Sequence, residues 1–275
     1  MLRWTGITRQ LFTEFPRELL AMYEAGQLGN VITLLTRRAQ MAFCSINQYI
    51  DISAANTTAL RDVYQQLVDD IARAIRQGRV HFDTLASAHG ERLKQWLWKT
   101  NPMAASAGEA AGPRLTPVVC AEYSASLQLE VLQLELHSLK EPVLDLGCGP
   151  QAHMVRYLRS LGIEAFGVDR FIASQETFLR TGDWLDFHLP QQYYGTVVSN
   201  LSFSNHFVYH HLRDNEDSRR YAGKYMEILH ALQPRGSYHY APALPMIEQY
   251  LSAAHYRVNS YQVTPDFMSS VITRL

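Results

Sequence analysis

The chain has little that would mark it for a special environment. Its 275 residues include only three cysteines, Cys44, Cys120 and Cys148, far apart and odd in number. That argues against a disulfide framework or a C-x-x-C metal knuckle, and leaves the thiols buried or incidental. No uninterrupted apolar run approaches the roughly eighteen residues of a membrane-crossing helix. The opening MLRWTGITRQLFTEFPRELL lacks the apolar segment and small-residue cleavage site of a secretory signal. A cytoplasmic protein with no membrane partner is expected. An excess of one charge is missing as well: 25 basic residues face 26 acidic ones, for a net charge of −1. A duplex nucleic acid would need a concentrated basic face, so no nucleic-acid partner is expected. Arg37-Arg38 and Arg219-Arg220 read as solvated helix faces. No repeat period is evident.

What is present is a core: 47% of the residues are hydrophobic, enough for one large domain or a domain with an appendage. Residues 1 to about 100 read as helices. In TTALRDVYQQLVDDIARAIRQG, Leu60, Val63, Tyr64, Leu67, Ile71, Ala74 and Ile75 form one apolar stripe, and Gly78 supplies the stop. A second helix runs from about Val31 to Tyr49. A third carries Leu85, Leu93, Trp96 and Leu97 and ends at Asn101-Pro102. NPMAASAGEAAGPRLTP is rich in small residues and proline and reads as a linker. The expected division is a helical domain over 1–116 and an α/β domain over 117–275, entered through a helix from Ala125 to about Lys140.

In the second part, EPVLDLGCGPQAHMVRYLRSLGIEAFGVDR poses a problem of its own. Pro142 to Leu146 is a continuous apolar run, as in a strand buried on both faces, and Met154, Tyr157, Leu158 and Leu161 then recur at helical spacing. Gly147 and Gly149 fall in the turn between them. A second apolar run, Ala165 to Val168, ends on Asp169. Strand, glycine turn, helix and strand with a carboxylate at its tip make a nucleoside-cofactor site. The string Gly147-Cys148-Gly149-Pro150-Gln151-Ala152 also satisfies a loose dinucleotide fingerprint. Asp145 tips the balance, because its charge would repel a pyrophosphate and attract the cationic amino end of S-adenosylmethionine.

Asp145-Leu146-Gly147-Cys148-Gly149 resembles motif I of the class I S-adenosylmethionine-dependent methyltransferases. The resemblance covers about residues 120–275. It implies a Rossmann-like α/β sheet with an antiparallel terminal strand, preceded here by an all-helical N-terminal domain. Tyr194–Ser199 and Ser237–Ala241 would be strands four and five, with a helix from about Ser218 to Leu232. ALQPRGSYHY resembles the family's turn before strand five, with Arg235 in place of a glycine. PMIEQYLSAAHYRVNSYQV would give a helix and a strand. SSVITRL follows too closely for a helical crossover, so that last pair is antiparallel.

By the same resemblance, Gly147, Cys148 and Gly149 let the backbone approach the cofactor, because a side chain at either glycine would collide with it. Asp145 orients its amino group and Asp169 takes the ribose hydroxyls. Asp183 in RTGDWLDF takes the adenine amino group, and Trp184 packs on the ring. Asp183 follows Asp169 too closely for a full helix and strand, so the second crossover is truncated or ETFLRTG is itself strand three. Glu122-Tyr123-Ser124 starts a helix, with Ser124 as N-cap and Tyr123 as a cofactor or substrate contact. Asn200, at the end of strand four where the family keeps reaction-specific residues, is a cofactor contact that could also orient the acceptor. Asn200-Leu201-Ser202-Phe203 lacks the prolines of enzymes that methylate amide or adenine nitrogens. His206 and His210 stand as base candidates, and Asn205, His211 and Tyr240 as substrate contacts. His206 and His210 are also at i, i+4, a metal-pair spacing that His211, Asp214 or Glu216 could complete, but no H-E-x-x-H pattern is present and no metal is expected.

The resemblance thus implies methyl transfer from S-adenosylmethionine, leaving S-adenosylhomocysteine, to a nitrogen, oxygen or carbon of a small molecule, with the N-terminal helices as a lid. Aminocarboxypropyl transfer from the same cofactor, a non-catalytic binding module and an NAD-dependent oxidoreductase stay open. A monomer or homodimer is expected.

Overall fold

The computed structural model describes residues 14–50, 52–101, 105–108, 112–115, 123–172, 174–212, 216–265 and 267–275. Cys120, Glu122, Asp214 and much of the linker stretch lie outside the described residues. The chain divides into two compact units, Met1–Cys120 and Ala121–Leu275.

The first unit is helical: α1 (Pro16–Glu24), α2 (Gly29–Ile46), α3 (Ala54–Arg76) and α4 (Phe82–Thr100), followed by a small antiparallel pair, β1 (Ala105–Gly108) and β2 (Gly112–Leu115). The apolar stripe of α3 buries Leu60, Val63, Tyr64 and Leu67, as its period predicts. Gly78 takes a left-handed φ of +63° and its N–H caps the Ile75 carbonyl at 3.0 Å. Side chains cross-tie the bundle: Trp96 Nε1 donates to the Asn56 carbonyl at 3.0 Å, and Gln40 Nε2 to Thr57 Oγ1 at 2.7 Å. Among the described residues no helix is long and apolar enough to cross a membrane.

The second unit opens with α5 (Ala125–Val131), capped by Ser124 Oγ, which accepts the Leu127 N–H at 3.3 Å. The helix expected to reach Lys140 stops here. Gln133 turns left-handed at φ 53°, and the N–H of Leu134 closes on the Leu129 carbonyl at 2.9 Å. The turn tucks Leu132 and Leu134 into the core, where a continued helix would have carried them round its axis. Then come β3 (Val143–Leu146), α6 (His153–Ser160), β4 (Ala165–Asp169), β5 (Leu179–Thr181), β6 (Tyr194–Asn200), α7 (Phe203–His211), α8 (Glu216–Ala231), β7 (Leu232–Ala241), α9 (Pro245–Glu248), β8 (Tyr256–Thr264) and β9 (Phe267–Arg274).

The strands form one seven-stranded sheet in the order β5-β4-β3-β6-β7-β9-β8. All neighbours are parallel from β5 to β7, and β9 runs antiparallel between β7 and β8. β6 is buried on both faces, which its run of apolar and small residues permits. One face packs Val143, Met154, Val155 and Leu158 under α5 and α6; the other packs Leu144, Val197, Phe203, Tyr225 and Tyr238 under α7 and α8. Among the described residues between β4 and β5 there is no helix. Both readings of the short crossover hold at once: it is truncated, and ETFLRTG contains β5.

Candidate functional site

The connections reverse direction at β3: β4 and β5 lie on one side of it, β6 and the later strands on the other. Open α/β sheets bind ligands beyond the carboxyl ends of their strands at such a reversal. Asp145 in β3, the two glycines after it, Asp169 at the tip of β4 and Asn200 at the tip of β6 all belong to that edge.

The turn after β3 folds back on β4, with the N–H of Gly147 and that of Cys148 donating to the Val168 carbonyl at 2.8 and 3.3 Å. Asp169 locks it: Oδ2 accepts the Gly149 N–H at 3.1 Å and Oδ1 accepts the Phe171 N–H at 2.9 Å.

Gly147 and Gly149 have φ of +83° and +76°, and their surroundings differ. A Cβ on Gly149 would meet nothing within 4 Å, whereas one on Gly147 would lie 2.5 Å from both Cβ and Oγ of Ser202 and 3.1 Å from Trp184. A side chain at 147 would thus already collide with the protein itself. Cys148 is buried in the core on the α6 face, and burial drives its thiol far above the ordinary range, so it is inert.

Asp145 is the unusual group. Its side chain is 2% exposed and its Oδ2 has no hydrogen-bond partner. Burial, with the charge of Asp169 adding to it, pushes its pKa up to about 8. The protonated form therefore predominates at neutral pH. Asn200 Oδ1 is likewise buried without a partner. With Asp145 ionised, two acceptors at neighbouring strand ends suit a ligand that brings donors and no acceptor, as an ammonium group does.

The neighbouring serines escaped the sequence reading. Ser199 Oγ and Ser202 Oγ both donate to the Leu146 carbonyl, at 2.9 and 2.8 Å, joining the end of β3 to the start of α7. Their only signal was position, within the polar stretch just after β6.

Other nominated residues are placed less simply. Asp183 Oδ1 accepts the Leu185 N–H at 2.9 Å, so one of its oxygens holds a turn. Trp184 is 5% exposed, with its ring edge-on to His206 at 5.1 Å and to Phe203 at 6.5 Å. It sits in the α7–α8 core rather than open to stack on a base. Tyr123 is half-buried, and its carbonyl accepts from Gln128 Nε2 at 2.9 Å. Asn205 is half-buried and turns its Nδ2 back to the Leu201 carbonyl at 2.9 Å. Tyr240 is fully buried, its hydroxyl shared between Tyr225 and Glu248, which makes it framework rather than a substrate contact.

The histidines separate. His206 is 5% exposed; burial, then the charges of Arg170 and His210, hold its pKa well below the ordinary imidazole range. It is neutral and a poor proton acceptor at pH 7. His210 stacks on Tyr221 at 5.0 Å between centroids and faces Asp217 at 3.8 Å. His211 is exposed. Among the described residues no group of three or more histidines, cysteines or acids is placed to hold a metal.

The strand order, with its parallel run and antiparallel β9, decides the architecture. This is the Rossmann-like fold of the class I S-adenosylmethionine-dependent methyltransferases. Solved structures similar to the chain include an S-adenosylmethionine-dependent methyltransferase from Mesorhizobium loti, 20% identical, matched over 53% of this chain and 63% of that one, TM-score 0.32. The 1,6-didemethyltoxoflavin-N1-methyltransferase of Burkholderia thailandensis is 12% identical over 55% of this chain and 79% of that one, TM-score 0.39. The N-methyltransferase NodS of Bradyrhizobium japonicum is 13% identical over 54% and 85%, TM-score 0.38. No protein-family model and no curated protein matches the chain. A cavity of about 580 Å³ also opens between residues 129–139 and the strands β6 to β9, lined by Arg235, His239 and Tyr261 among others, and it contains none of the nominated residues.

Proposed function

We propose that the chain is an S-adenosylmethionine-dependent methyltransferase acting on a small-molecule acceptor. Asp145 carries this reading. A buried carboxyl with an unpartnered oxygen, directly before a glycine turn at the reversal of the sheet, is satisfied by an amino group, on whose binding it would give up its proton, whereas a pyrophosphate would oppose that ionisation. Asp145 and Asn200 would hold the amino-acid end of the cofactor, and Gly149 gives its backbone room. Asp169, at the tip of β4, would take the ribose hydroxyls, and Asp183 would offer its second oxygen to the adenine amino group.

When bound, the cofactor supplies a methyl group already activated by its sulfonium. The protein's part is then to hold the acceptor in line, an effect worth up to roughly 7–11 kcal/mol. An amine acceptor needs only to arrive deprotonated. For a hydroxyl acceptor the base role falls to His210, which has a carboxylate neighbour, and not to His206, which is buried and neutral.

Calorimetric titration with S-adenosylmethionine, S-adenosylhomocysteine and NADH, on the wild type and Asp169→Ala, tests this. The first two should bind, and the variant should weaken both. Binding of NADH alone would return the glycine turn to its dinucleotide reading. Turnover is then followed as S-adenosylhomocysteine formation in an acceptor screen.

A further inference from the structure

The segment after Asp169 has no helix to lean on among the described residues that lead from β4 to β5. β5 itself offers only Leu179–Thr181 to pair with β4. A single side chain of α6 replaces the missing support. Arg156 Nη1 and Nη2 grip the two carboxylate oxygens of Glu176 at 2.6 and 2.7 Å, and Nη2 also donates to Ser174 Oγ at 2.8 Å. Its remaining donor, Nε, reaches the Gln151 carbonyl at 2.8 Å, at the far end of the glycine turn. Ser174 Oγ closes the arrangement by donating to Glu176 Oε2. One planar guanidinium thus joins the segment after Asp169 to the segment after Gly149, the two walls between which Asp169 already bridges.

Arg159, one turn further along α6, gives a comparison within the same helix. Its guanidinium donates to the Ala165 carbonyl at 3.1 Å and lies 4.4 Å over the Phe178 ring, at the opposite end of the crossover. Its contacts are with β4 and with the last residue before β5, at the end of the crossover away from Asp169. Both arginines pin the crossover to α6, but only Arg156 spans both elements of the site.

We propose that Arg156, through Glu176 and Ser174, is a positioning residue for the cofactor: it fixes the spacing between the glycine turn and the Asp169 loop and so sets cofactor affinity. The inference rests on the cofactor reading above. A guanidinium suits the task because its fork matches a carboxylate with two parallel hydrogen bonds and keeps a third direction for the backbone, which an ammonium cannot do. Part-exposed ion pairs add little to global stability, so the effect should fall on the site rather than on the fold.

The test measures S-adenosylhomocysteine affinity by calorimetry and melting temperature for the wild type, Arg156→Gln, Arg156→Lys, Glu176→Gln, the double variant Arg156→Gln/Glu176→Gln, and Arg159→Gln. Arg156→Gln and Glu176→Gln should each raise Kd about tenfold, and the double variant no more than either alone, because one contact is being removed twice. Arg156→Lys should recover only part of the loss. Arg159→Gln should lower the melting temperature and leave Kd within about twofold. With a turned-over acceptor in hand, the Arg156 variants should raise the cofactor KM and hold kcat within about twofold. Equal Kd for wild type and Arg156→Gln, or an equal loss in Arg159→Gln, overturns the inference while the cofactor reading stands. A wild type that binds neither S-adenosylmethionine nor S-adenosylhomocysteine overturns both.

Discussion

Two polar regions meet at the carboxyl edge of the sheet and are held in opposite ways. In the turn after β3 and the loop after β4, side chains are tied to backbone: Asp169 holds the N–H groups of Gly149 and Phe171, and Arg156 holds the Gln151 carbonyl. In the stretch after β6, side chains turn inward, with His206 against Trp184, His210 against Tyr221 and two serines on one carbonyl. The second arrangement builds a wall, and Asn200 Oδ1 is the polar atom it leaves over. Under the proposed function, the binding groups would come mainly from the β3–β4 side, with Asn200 added from the end of β6.

The glycines break that comparison most directly. Gly147→Ala places a methyl 2.5 Å from Ser202 at positive φ, a clash between the two regions that should cost roughly 2–4 kcal/mol of stability. Gly149→Ala has only the backbone cost of about 1–2 kcal/mol, and its methyl enters the space assigned to cofactor. Chemical denaturation and calorimetry should show the first variant losing mainly fold and the second mainly binding. The reverse pattern would mean that the turn faces the other way.

Asp145→Asn comes next. Loss of a charge-assisted contact of about 2–3 kcal/mol should weaken S-adenosylhomocysteine roughly 30- to 100-fold. The apo protein should respond in the opposite sense. A carboxyl whose folded pKa of about 8 exceeds its unfolded value binds an extra proton in the native state, so its stability contribution is complete below about pH 4 and declines as pH rises through 8. The variant should melt with the wild type at pH 4 and several degrees above it at pH 8. Binding near pH 7 should also release a proton, read as a buffer-dependent calorimetric enthalpy that the variant lacks.

These two regions also differ in what the sequence showed. The β3–β4 side was legible residue by residue, because a glycine turn and two acids at fixed spacing are short-range features with few alternative explanations. Asp145, Gly149 and Asp169 belong to the edge where the strand–turn–helix reading put them. Arg156 was not legible, since nothing in its own neighbourhood announces a partner twenty residues away. The stretch after β6 misled for a related reason. His206 and His210 look polar and accessible as a string, while Trp184 and Tyr221, which pack on them, lie elsewhere in the chain. The helix after Ser124 was overdrawn because a left-handed Gln133 leaves no compositional mark of the kind a glycine would.

The histidine pair sharpens the contrast with a smaller effect. His206, with its folded pKa held below the unfolded value, costs stability as pH falls through about 6.5, at up to about 1.4 kcal/mol per pH unit. His206→Gln should flatten that acid slope and leave the pH profile of turnover in place. His210→Gln should lower kcat/KM for a hydroxyl acceptor. A turnover profile that follows His206 instead would make the buried ring the base.

Tyr240→Phe should have the smallest effect on function, and it tests whether β7 belongs to the framework or the site. The hydroxyl stands between Tyr225, at 2.9 Å, and Glu248, whose Oε1 also accepts the Leu244 N–H at 2.7 Å. Removing it leaves Glu248 one donor and Tyr225 without its hydroxyl partner, a loss of about 1–3 kcal/mol in a buried place. The melting temperature should fall by a few degrees, while acceptor KM and S-adenosylhomocysteine Kd stay within about twofold. A raised acceptor KM with unchanged stability would put the hydroxyl in the acceptor site and extend the binding surface across the wall that α7 and α8 form.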